Sequence, residues 1–71
     1  LPSLRPREVV KVLKRIGFEE IRQTGSHLIL SNKITKRTIP IPIHNKNIKR
    51  GLLAIIIKQA GLKINEFLKL L

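Results

Sequence analysis

The segment Thr38-Ile39-Pro40-Ile41-Pro42-Ile43 constrains the fold more than any other stretch of this chain. Isoleucine at every second position has the period of a strand with one buried face. Proline at the positions between has no N–H to give to a neighbouring strand, so a strand with two of them belongs at the edge of a sheet. The third strand therefore runs from Arg37 to Ile43. An edge strand needs an inner neighbour, and His27 to Ser31 supplies one. Leu28 and Leu30 share one face of it, while His27, Ile29 and Ser31 share the other. Phe18 to Gln23 reads as a further strand. Phe18 and Ile21 have opposite parity there, which predicts a bulge or a late start. Thr24-Gly25-Ser26 is a turn signal, and Asn32 to Lys36 reads as a polar loop.

Helical periodicity flanks these strands. In residues 6–16, Val9, Val10, Leu13 and Ile16 form one apolar stripe, with Arg7, Lys11, Lys14 and Arg15 largely away from it. Pro6 suits the first helical turn, Glu8 complements the helix dipole, and Gly17 is the expected stop. Residues 48–60 read as a second helix ending at Gly61. It is apolar almost all round, through Leu52, Leu53, Ile55, Ile56 and Ile57. Such a helix is buried on two sides or offered to a partner. In a domain this small, Leu52, Ile55 and Ile56 are expected in the core. Residues 64–70 read as a short third helix, with Phe67, Leu68 and Leu71 on its apolar side. The order α-β-β-β-α, with that extra turn or two, predicts a single α+β domain over residues 1–71. Helices then cover one face of a three-stranded antiparallel sheet and leave the other open.

Composition narrows the function. The chain has 71 residues, no cysteine, and 23 Ile plus Leu against two aromatics, Phe18 and Phe67. One domain is all this length allows, and its core must be aliphatic. Without cysteine there is neither a disulfide staple nor a thiolate zinc site, and two histidines do not complete a zinc shell. A reducing cytoplasm is the expected compartment. No apolar run approaches the ~18 residues of a membrane span, and Lys and Arg interrupt the N-terminal stretch, unlike a signal peptide. Fifteen Lys plus Arg against four Glu give a net charge of +11, which calls for an anionic partner.

Few residues can carry chemistry. If Leu28, Leu30, Ile39, Ile41 and Ile43 face the helices, His27 and His44 fall on the open face. Gly25 and Ser26 give His27 an uncrowded approach, and imidazole is the side chain best suited to move a proton near neutral pH. Much else is absent. Glu19 and Glu20 are adjacent and point to opposite faces, no Asp exists to orient a Ser26–His27 pair, and the glycines are isolated rather than gathered in a phosphate loop. Catalysis on such a chain is expected to be metal-free. RNA cleavage permits that, because the 2′-hydroxyl is a built-in nucleophile. Lys33, Lys36 and Arg37 crowd one loop, and His44, Lys46, Lys49 and Arg50 crowd the start of the second helix; these are the candidate phosphate contacts. Stacking aromatics for single-stranded bases are lacking, so shape and phosphate recognition of RNA is the better fit. A surface histidine without a task, a non-catalytic RNA-binding module and a protein-interaction or membrane-surface domain are the competing readings. The membrane reading ranks lowest, because the cations are spread over helix, loop and strand ends.

Several of these residues recur together in a known family. Pro6-Arg7-Glu8-Val9-Val10, then Leu13 and Gly17-Phe18, are followed by Gly25-Ser26-His27. Ile39-Pro40-Ile41-Pro42-Ile43-His44, Gly51-Leu52-Leu53 and Ile57-Lys58-Gln59-Ala60-Gly61-Leu62 complete the set. In this order, over residues 5 to about 68, the chain resembles the HicA-type toxins of toxin–antitoxin pairs. The resemblance implies a double-stranded-RNA-binding-like fold and an mRNA-cleaving toxin held inactive by a HicB-type antitoxin, for which an acidic protein would suit a +11 chain. It also implies that His27, in the Gly-Ser-His motif with Gly25, is the active histidine. Many relatives carry a second histidine directly after the first; here that position is Leu28.

Overall fold

The computed structural model describes residues 2–43 and 46–71. In chain order the elements are α1 (Pro6–Arg15), β1 (Phe18–Thr24), β2 (His27–Asn32), β3 (Thr38–Pro42), α2 (Arg50–Gln59) and α3 (Ile64–Lys69). The strands form one antiparallel sheet in the order β1-β2-β3. Leu30, Ile39 and Ile41 bury one face of it beneath Val9, Val12 and Leu13 of α1 and Leu53, Ile56 and Ile57 of α2. This is the α+β layering of a double-stranded-RNA-binding-like domain, and its second sheet face is uncovered.

The prolines do what their chemistry requires. The Ile43 N–H donates to the Ser26 carbonyl, and the Asn32 N–H donates to the Arg37 carbonyl. Residues 37, 39, 41 and 43 therefore turn their backbone groups toward β2, and Pro40 and Pro42 turn their nitrogens to the free edge. No ladder bond is lost, and the free edge offers few donors to a foreign strand.

The broken alternation of β1 is a bulge. Glu20 pairs with Leu30 and Arg22 with Ile29, so Ile21 is the extra residue, and it is 51% exposed. From Phe18 to Glu20 the strand keeps one parity, and beyond Ile21 it has the other. Glu19 and Glu20 do face opposite ways. Glu20 forms an ion pair with Lys14 of α1, and Glu19 lies 3.8 Å from Lys33.

The second helix departs from expectation at both its start and its facing. Ile48 is fully buried before the helix begins, and its N–H donates to the Leu4 carbonyl at 2.7 Å in an isolated antiparallel bridge. That strap holds the backbone extended through Lys49, so α2 starts at Arg50 rather than at residue 48. Leu53, Ile56, Ile57 and Ala60 then form the buried stripe. Leu52 and Ile55 lie on the outer side, 41% and 55% exposed, and not in the core. In α3, Phe67 is completely buried, whereas Leu68 and Leu71 are exposed and Leu70 packs in their place.

Asn32 is not a loop residue. It ends β2 and is the one buried polar side chain among the described residues, at 4% exposure. Its Nδ2 donates to the Ile16 carbonyl at 3.0 Å, and its Oδ1 accepts from the N–H groups of Ile34 (2.9 Å) and Thr35 (3.2 Å). One amide thus ties the end of α1 to the β2–β3 loop. Gly17, at φ +99, lets the chain pass beside it, since a Cβ there would sit 3.2 Å from Nδ2. Asn32→Ala leaves a carbonyl and two amides without these partners, and a loss of about 2–3 kcal/mol is expected in urea unfolding. A loss below about 0.5 kcal/mol would mean that water replaces the amide.

Candidate active site

His27 is the first residue of β2, directly after the Gly25-Ser26 turn. Gly25 takes φ +56, and a side chain there would meet nothing within 4 Å. The glycine is thus used for backbone shape, and it leaves the approach to His27 clear. His27 pairs with Thr24 on β1 and with Pro42 on β3. Its neighbours in sequence and register, Leu28 and Ile41, belong to the inner face, so the imidazole stands on the open face and is exposed. A base held there on a strand has a fixed origin and full access for a large substrate.

The cations expected to hold phosphate divide into two groups. Lys46 and Lys49 follow the end of β3, which lies beside His27 because β3 runs antiparallel to β2. With Pro42, the direct partner of His27, they line a shallow hollow of about 260 Å³. Arg50 opens α2 next to them, and the first turn of that helix has no acidic residue. Lys33, Lys36 and Arg37 lie at the other end of the sheet, roughly 17 Å away along a strand of this length. Lys36 takes a left-handed φ of 62 in that loop. The Arg37 guanidinium donates to the Gln59 carbonyl at 3.0 Å and packs against Gly61, so it closes the C-terminal end of α2. The structure therefore gathers His27, Lys46, Lys49 and Arg50 at one end and separates the 33–37 group from them. His44 lies outside the described residues.

One residue on this face escapes a strictly alternating reading. Counting from buried Phe18, Arg22 falls on the inner side. The bulge at Ile21 reverses that, and Arg22 pairs with Ile29 on the open face, diagonally beside His27. The opposite parities of Phe18 and Ile21 are the signal in the sequence, but they show a shift only once the register of β1 against β2 is fixed.

A larger apolar groove, about 400 Å³, lies on the other side of the sheet between α1 and the ends of β2 and β3. Pro6, Val10, Leu28 and Ile43 line it, and His27 does not. Among the described residues no three His, Asp or Glu side chains gather as metal ligands, and no helix is long and apolar enough to cross a membrane.

Among curated proteins none matches the chain. A family model described as the HicA toxin of bacterial toxin–antitoxin systems matches residues 6–62, from the first residue of α1 to just past the end of α2. That span contains the whole sheet, His27 with its glycine turn, and both groups of cations. The chain belongs to the HicA toxin family of toxin–antitoxin systems.

Proposed function

We propose that this toxin is a metal-independent endoribonuclease that cleaves mRNA, with His27 as its proton-transfer group. The observation that carries the reading is the exposure of His27 on the uncovered sheet face, at the end of the sheet where Lys46, Lys49 and Arg50 also lie. In the proposed reaction, the 2′-oxygen attacks the adjacent phosphorus as His27 accepts the 2′-hydroxyl proton. The bond from phosphorus to the 5′-oxygen breaks, and that oxygen takes up a proton from solvent water as it leaves. The products are a 2′,3′-cyclic phosphate and a 5′-hydroxyl. Lys46, Lys49 and Arg50 would hold the RNA backbone on the β3 side, and Lys33 and Lys36 would meet it at the far end of the sheet. Arg37 has less freedom for that task, because its guanidinium is engaged with α2.

Membership of the family implies an antitoxin partner. In this reading the partner is an acidic HicB-type protein, because a net charge of +11 speeds encounter with an opposite field and favours it. The cytoplasm is the compartment in which both mRNA and such a partner are met.

Induced expression in a bacterial host tests the function. The wild type is expected to arrest growth and deplete mRNA on a gel of total RNA, and His27→Ala to do neither at equal protein level. Arrest with RNA loss in both would remove His27 from the mechanism. Intact RNA in both, with folded protein present, would favour a non-catalytic RNA-binding module.

A further inference from the structure

We propose that Arg22 binds the scissile phosphate beside His27 and stabilises the charge that builds on it during cleavage. The proposal rests on the ribonuclease reading of His27 and adds a residue to it. Its basis is the bulge. In a regular strand, with Ile21 paired to Ile29, Arg22 would point toward the helices, in line with Phe18 and Glu20. With it, Arg22 and Thr24 stand on the same face as His27. Bulges re-aim side chains in this way, and they recur next to active sites.

The placement suits a phosphate. Arg22 is exposed and pairs with Ile29, two positions from His27 on the same face of β2. Such diagonal neighbours are separated by roughly 7 Å, within reach of a long side chain. Among the described residues no acidic group lies within ion-pair distance of Arg22. Glu19, also on this face, is directed to Lys33 at the far end of the strand. The guanidinium is therefore not held by a carboxylate. Lys46 and Lys49 follow β3 on one side of His27, and Arg22 lies on β1 on the other, so cation-bearing segments flank His27 on both sides.

The chemistry needs such a group. As the 2′-oxygen bonds to phosphorus and the 5′-oxygen departs, negative charge accumulates on the two non-bridging oxygens. His27 handles protons and does not neutralise that charge. A planar guanidinium donates two parallel hydrogen bonds to such a pair of oxygens, which a lysine ammonium matches less well. A donor that strengthens its bonds only as charge develops raises the rate of the chemical step itself.

Single-turnover cleavage of a synthetic mRNA fragment, at protein concentrations that saturate the RNA, provides the test. Arg22→Ala is expected to lower the saturating rate by about a hundredfold, and Arg22→Lys to recover part of the loss. Both variants should keep the wild-type unfolding midpoint, because the side chain is exposed. Arg15→Ala, which removes an exposed cation on α1, should leave the rate unchanged. A wild-type saturating rate in Arg22→Ala would overturn the proposal and leave the ribonuclease reading standing, even if more protein is needed to saturate. No cleavage by the wild type would overturn both.

Discussion

Purified His27→Ala is expected to cleave RNA at least about a hundredfold more slowly than the wild type, the usual scale for loss of a positioned general base. Its fold should be unchanged. His27 faces solvent, makes no side-chain hydrogen bond among the described residues, and packs into no core cluster. Exposed substitutions of this kind stay within about 0.5 kcal/mol of wild type. Circular dichroism and urea unfolding therefore accompany the rate measurement. A large loss of stability would mean that the imidazole is a structural group, and the loss of activity would then say nothing about proton transfer. The structure argues against that outcome, because β2 is held by backbone pairing with β1 and β3 and by side chains packed on its other face. The next residue in the chain, Leu28, offers no second proton-transfer group; it points inward and is half-buried against the core.

Phe67→Ala should show the largest effect on stability. Phe67 is the largest fully buried side chain of the domain, and it comes from α3, a helix of only six residues. So short a helix has little stability of its own. One end is fixed by Glu66, whose carboxylate accepts from the Lys63 N–H at 2.8 Å, and the rest is held by the ring in the core. Removing the ring costs roughly 3–5 kcal/mol, a large share of the roughly 4–10 kcal/mol expected for a domain of this length. Urea unfolding should show a midpoint shifted strongly downward, with α3 amides losing hydrogen-exchange protection first. A loss under about 1 kcal/mol would mean that α3 is detached from the core in solution. The result matters beyond stability, because the family match ends at residue 62 and α3 lies past it. In this chain the core is completed by a segment outside the matched span.

What was legible in the sequence follows from the range of the forces involved. Pro40 and Pro42 act locally, through a missing N–H, and they placed β3 at the edge with its isoleucines inward. Gly25-Ser26-His27 is likewise a local statement, and it located the turn and the exposed imidazole. The facing of α2 was hidden for a different reason. A helix apolar at 52, 53, 55, 56 and 57 has no polar side to set its phase, so only packing against β3 decides that Leu53 and Ile57 go in while Leu52 and Ile55 stay out. The start of α2 depends on the bridge between Leu4 and Ile48, residues far apart in sequence, and no local pattern announces it. Asn32 reads as a loop residue and Arg37 as a candidate phosphate contact. Each instead donates to a backbone carbonyl far away in sequence, Asn32 to Ile16 and Arg37 to Gln59. Arg22 needed both kinds of information, the local parity break and the register of two strands.

In the proposed reaction a histidine and the RNA's own 2′-hydroxyl cleave the backbone without a metal ion. The most direct test is to digest a defined RNA with the purified protein in excess EDTA and identify the new ends. Undiminished cleavage, 2′,3′-cyclic phosphate and 5′-hydroxyl ends, and resistance of a substrate carrying a single 2′-deoxy sugar at the cut are the expected results. Cleavage abolished by EDTA, or products with 3′-hydroxyl and 5′-phosphate ends, would contradict it.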